Sequence, residues 1–126
     1  MDWTKDYIGK AWEPKKDCYY WFAKIQNEVF NRPVIFVGDR HNNTVDTFLD
    51  ERQRWKSLKT DELPQDGDAI TLCQADDDDL QLQHIGVYVQ GHVIRAETEG
   101  VVTLKPLSKL EGEWVVHEVA RYREGV

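Results

Sequence analysis

The feature that most constrains this chain is a change of hydrophobic period about halfway along it. Before residue 63 the apolar residues recur at steps of three and four, as on one face of a helix; beyond residue 68 they fall into short strand-like runs. The segment Leu63-Pro64-Gln65-Asp66-Gly67-Asp68 between the two regimes has the composition of a turn. The first regime predicts a helix over 17–31, with Cys18, Phe22, Ile25 and Val29 on one stripe, and a second helix over about 44–58 carrying Val45, Phe48, Leu49 and Trp55. The second predicts strands at about 69–74, 82–89, 92–98, 100–104 and 114–122. Helices first and a consecutive antiparallel sheet afterwards make an α+β domain.

Local signals refine this outline. Asp17 is a plausible N-cap, and Asn31-Arg32-Pro33 closes the first helix because the residue before a proline resists the α region. Residues 1–16, with Trp3, Tyr7, Ile8 and Trp12, read as a short amphipathic turn or helix and a loop packed on the domain. Four successive aspartates, Asp76 to Asp79, repel one another and favour a solvated loop, and they lack the glycine and spaced glutamate of a calcium loop. With 126 residues, 40% of them hydrophobic, the chain is expected to form a single domain over 1–126.

Charge and composition remove several classes of function. A net charge of -7 without clustered Lys and Arg argues against nucleic acid as a partner. No apolar run approaches the roughly 20 residues of a membrane-spanning helix, and the first residues lack the order of a signal peptide, so no membrane insertion is expected. Cys18 and Cys73 are too far apart for a metal knuckle, and the four histidines have no ligand spacing; no metal and no cofactor are expected, and both thiols are expected to be reduced.

Two residues stand out chemically. A thiol in the first turn of a helix feels the positive end of the helix dipole, and Lys15 and Lys16 lie just upstream of Cys18; equally, Cys18 continues an apolar stripe and fits a buried core position. His84 sits on a strand whose alternate position, Gly86, leaves space for a ligand, although a hydrogen-bonded sheet histidine has the same signature. A two-residue turn at Gln90-Gly91 pairs Val89 with His92, Gly86 with Arg95 and His84 with Glu97, so that Arg95 and Glu97 share the face of His84.

The block Asp17-Cys18-Tyr19-Tyr20-Trp21-Phe22 resembles the Asp-Cys start of the catalytic helix in NlpC/P60 cysteine peptidases, especially the short type found near phage tail genes. Pro64-Gln65-Asp66-Gly67-Asp68-Ala69-Ile70 resembles that family's Pro-Gly-Asp strand entry, and His84-Ile85-Gly86-Val87-Tyr88-Val89 its His-Val-Gly-Ile-Tyr strand. Val93-Ile94-Arg95-Ala96 then stands where the family usually has Ile-His-Ala, and the likeness extends over roughly residues 1–122. The resemblance implies a papain-like fold, with N-terminal helices packed on a five- to six-stranded antiparallel sheet. It also implies a cysteine peptidase that cuts the stem peptides of peptidoglycan, with Cys18 as nucleophile and His84 as base. Other phage tail proteins are the implied partners. The implied locations are the virion tail, or the bacterial cytoplasm before assembly, with action in the host periplasm or cell wall.

Two departures qualify the resemblance. Arg95 takes the place of the polar residue that orients the imidazole; a guanidinium only donates, so Glu97 is the local candidate to accept the His84 N–H, unless the two simply pair with each other. Tyr19 and Tyr20 follow Cys18 where many relatives have Ser-Gly, and Tyr19 is expected either to line the substrate path, with Gly86, or to pack. The alternative to an enzyme is therefore a catalytically weak or inactive structural component of a tail tip, docking through an exposed patch of Trp3, Trp12 and Trp114.

Overall fold

A computed structural model of the chain describes residues 2–13, 16–34, 55–74, 84–97, 99–110 and 114–123. Asp17 starts the helix α1 (Cys18–Glu28): its backbone is extended and its carboxylate accepts the Tyr20 N–H at 3.0 Å. The helix stops where Asn31 adopts a positive φ of 55°, a conformation that asparagine tolerates better than most residues. Cys18, Phe22, Ile25 and Gln26 recur at the helical period and are buried against the sheet. Phe22 is almost wholly enclosed, a burial that stabilises the fold by about 3 kcal/mol.

The sheet is built from β1 (Trp55–Ser57), β2 (Ala69–Gln74), β3 (His84–Val89), β4 (His92–Ala96), β5 (Val102–Pro106) and β6 (Trp114–Tyr122), with a single helical turn, α2 (Leu107–Leu110), before β6. Its order is β1-β6-β2-β3-β4-β5, and every neighbouring pair is antiparallel. Gln90 and Gly91 both have positive φ, 45° and 83°, as a tight I′-type hairpin requires. The register they set pairs Val89 with His92 and Val87 with Ile94.

Alternation along the strands gives the sheet two packed faces. Ile85, Val87, Val89, Ile94 and Ala96 enter the cluster beneath α1, whereas Ile70, Leu72, Val93, Leu110 and Trp114 form a second cluster on the other face. A 3-10 helix (Asp2–Asp6) leads into residues 9–12, which run beside the start of β5. There Gly9 N–H reaches Val102 O at 2.9 Å, Val102 N–H reaches Lys10 O at 2.9 Å and Trp12 N–H reaches Gly100 O at 3.0 Å, covering part of the sheet edge.

The expected papain-like α+β fold with N-terminal helices is corrected by this architecture. Among the described residues the protein is mostly antiparallel sheet, and α1 is the one α-helix longer than about a turn. The helix expected over 44–58 lies outside the described residues up to 54, and its last part is strand β1. Trp55 pairs with Tyr122 in register, their rings 5.3 Å apart, and packs 5.5 Å from Phe22. A partner 67 positions downstream outweighs local helical spacing there. β2 and β6 have the expected bounds, whereas β5 starts at Val102 rather than 100, because Glu99 (φ 58°) and Gly100 turn the chain, with Gly100 N–H bonded to Glu97 O at 2.9 Å. The aspartate run at 76–79 lies outside the described residues.

Candidate active site

Cys18 is the first residue of α1, 5% exposed, and belongs to the cluster between helix and sheet. The far part of α1 is tied to the far end of β3: Gln26 donates to Gly67 O at 2.9 Å, and Gly67 N–H reaches Tyr88 O at 2.9 Å. From Cys18 to Gln26 the helix rises about 12 Å, and from His84 to Tyr88 the strand advances about 13 Å. Helix and strand therefore run side by side with Cys18 and His84 toward the same end of the layer. Strand alternation sends Ile85, Val87 and Val89 toward α1 and turns His84, Gly86 and Tyr88 to the other face. The thiol thus belongs to one side of the start of β3 and the imidazole to the other.

The structure brings His84 together with Arg95 and Trp114. The imidazole meets the Trp114 ring edge-on at 4.9 Å, and Arg95 lies over the same indole at 5.1 Å. Arg95 is only 5% exposed, and its Nη1 stands 3.4 Å from His84 Nδ1. Because a guanidinium has no acceptor, Nδ1 takes the acceptor role in this contact and the ring proton belongs on Nε2. Burial first, and then the Arg95 charge, lower the His84 pKa to about 4, with Glu97 acting weakly in the opposite direction. His84 is accordingly a neutral imidazole at neutral pH.

Glu97 turns toward β5: its Oε2 accepts from Thr103 Oγ1 at 2.7 Å and pairs with Lys105 Nζ at 2.9 Å. Burial alone would raise its pKa, but the Thr103 and Lys105 hydrogen bonds and the Arg95 charge outweigh it and hold the carboxyl low. The space beside Gly86 is taken by its neighbours, since a Cβ there would stand 2.7 Å from Val93 Cγ1, 2.9 Å from Ile94 O and 3.0 Å from Arg95 Cβ. Tyr19 is buried and packs 5.8 Å from Phe22 in the helix-side cluster.

Sequence reasoning missed Trp114 as a member of this group, placing it in an exposed aromatic patch. It is buried, and Trp3 and Trp12 pack partly buried on the other cluster, so the three do not form one exposed surface. The signal for Trp114 is the pairing of β6 with β2, which sets Trp114 opposite Gln74, two residues from the Leu72 that pairs with His84. No disulfide joins the buried Cys18 and Cys73. Among the described residues no group of three His, Cys, Asp or Glu side chains is placed to hold a metal ion, and no helix is long and apolar enough to cross a membrane. The chain matches no family model and no curated protein.

Proposed function

We propose that the chain is a cysteine peptidase acting on peptidoglycan stem peptides in the setting of a phage tail. The observation that supports the reading is the placement of Cys18 in the first turn of a capped helix that runs along the strand carrying His84, with both toward the same end of the layer but on opposite faces of that strand. In the reaction the Cys18 Sγ bonds to the scissile carbonyl carbon while the thiol proton passes to His84. Collapse of the tetrahedral intermediate breaks the C–N bond, and the same proton goes to the leaving amine. Water then hydrolyses the thioester. The sequence blocks around Cys18 and His84 supply the substrate class and the association with other tail proteins.

The Arg95 contact favours a second reading, that of a non-catalytic tail component. With Nδ1 facing a donor and Nε2 protonated, the imidazole has no lone pair left for the thiol proton until the guanidinium withdraws. Thiol and imidazole must also meet around the start of β3. Mass spectrometry of muropeptides incubated with the wild type, Cys18→Ala and Arg95→Asn separates the readings. A peptidase gives products with the wild type that vanish in Cys18→Ala and rise in Arg95→Asn. Cleavage by Arg95→Asn alone identifies a silenced site, and no cleavage by any variant overturns the enzyme.

A further inference from the structure

Away from the His84 cluster, a cavity of about 480 Å³ opens between the N-terminal segment and α1. Lys10, Lys16 and Lys24 line it, with Tyr20 and Trp21 as its aromatic wall, in a protein whose net charge is -7. Its size is that of a ligand site rather than a packing defect. The two carboxylates that also line it are Asp6 and Glu28, and Glu28 is already occupied: it accepts from the Tyr7 hydroxyl at 2.7 Å and pairs with Lys24 at 3.0 Å. Lys16 stands 3.9 Å from Glu13, both side chains half exposed, and Lys10 has no ion-pair partner among the described residues.

The three lysines outnumber Asp6 and Glu28 in the lining, and the backbone that carries Lys10 and Lys16 is fixed. Lys10 N–H bonds to Tyr7 O at 3.1 Å and its carbonyl accepts from Val102 at 2.9 Å; Lys16 and Glu13 exchange backbone hydrogen bonds of 2.9 and 3.1 Å. The aromatic wall is equally set, the Tyr20 and Trp21 rings meeting edge-to-face at 5.1 Å. Two lysines on fixed backbone beside aromatic surface suit an anion with an apolar stem. Lys16 and Tyr20 flank Cys18 in sequence, so the cavity adjoins the start of α1.

We infer that this cavity binds a free carboxylate of a peptide ligand, with Lys10 and Lys16 as its cationic contacts. The choice of a peptide rests on the peptidase reading, because stem peptides end in free carboxylates. Binding is measured in Cys18→Ala, so that turnover plays no part, by following the Trp21 indole signal in nuclear magnetic resonance titrations. The probes are a muropeptide with free carboxylates, the same muropeptide with its carboxylates amidated, and inorganic phosphate as competitor.

The expected result is a loss of about tenfold in affinity on amidation and about threefold for each of Lys10→Gln and Lys16→Gln, the size of a lost solvent-exposed charge contact. In the double variant the two muropeptides bind alike. Equal binding of both by the Cys18→Ala protein, indifference to the two lysine substitutions, or displacement by millimolar phosphate overturns the assignment. Binding of the expected kind in a protein whose wild type never cleaves overturns the peptidase reading and keeps the site. Cleavage unaffected by either lysine does the reverse.

Discussion

Acidification from pH 7 to 4 should cost this protein stability through His84. In the fold its pKa is about 4, against 6.5 for a solvated histidine, because burial and the Arg95 charge disfavour the imidazolium. The unfolded chain therefore binds the proton more readily, and between pH 6.5 and 4 unfolding takes a proton up. Stability from this group is complete above pH 6.5, falls as the pH drops toward 4, and is flat below. At about 1.4 kcal/mol per pKa unit, the loss is about 3 kcal/mol. With a urea slope of 1–3 kcal/mol/M, that moves the unfolding midpoint by roughly 1–3 M.

The measurement is urea unfolding of the wild type and His84→Gln at pH 7, 5.5 and 4. Glu28 and Glu97, whose carboxyls are held low, also lose stability as they protonate, but they do so in both proteins and drop out of the difference. His84 faces Arg95 and Glu97 from neighbouring positions, so Arg95→Met should move its midpoint up from about 4 without reaching 6.5, since burial, the larger influence, remains. That shift is read from the imidazole C–H resonances. Parallel pH profiles for wild type and His84→Gln would refute the reasoning.

Two further substitutions test the packing. Gly86→Ala places a methyl group 2.9 Å from the Ile94 carbonyl, which belongs to a strand and cannot step aside; a loss of about 2 kcal/mol, or roughly 5–10 °C in Tm, is expected by calorimetry, and an unchanged Tm would contradict it. Arg121→Met removes hydrogen bonds of 3.1 and 3.0 Å from Asp68, whose carboxylate is fully enclosed, and should cost about 3 kcal/mol in urea unfolding. Adding Asp68→Asn should recover part of that loss, and no recovery would place the cost elsewhere.

Much of the sheet was legible because its signals are local. Gln90-Gly91 dictates a tight hairpin, and Asp17 ahead of an apolar stripe dictates a capped helix; both appear where the residues put them. What was not legible depends on distant partners. Residues 55–57 carry a helical pattern, yet Trp55 finds Tyr122 and Phe22 and becomes an edge strand. The same holds at the site. The expected pairing of Glu97 with His84 followed from extending the hairpin register, but the β4 ladder stops at Ala96, and Thr103 and Lys105 of β5 capture the carboxylate. The Asp68 of the Pro64–Asp68 turn, quoted above for its likeness to a strand entry, has its own structural reason, since it joins Gln65 and Arg121 across the turn.

The chemistry open to the site follows from these partners. A preformed thiolate–imidazolium pair needs a histidine that welcomes a proton, whereas burial and the neighbouring Arg95 charge leave His84 neutral. Cys18 is enclosed among apolar side chains at the start of α1. On the peptidase reading, an imidazole that starts neutral takes the thiol proton during attack on the carbonyl rather than before it. Such a pair depends on the imidazole lone pair being free at that moment. On that reading, the position of one guanidinium, 3.4 Å from Nδ1, decides whether His84 can accept the thiol proton. A substrate carboxylate that drew Arg95 aside would free Nδ1 only while it was bound, and activity would then be confined to acidic peptides.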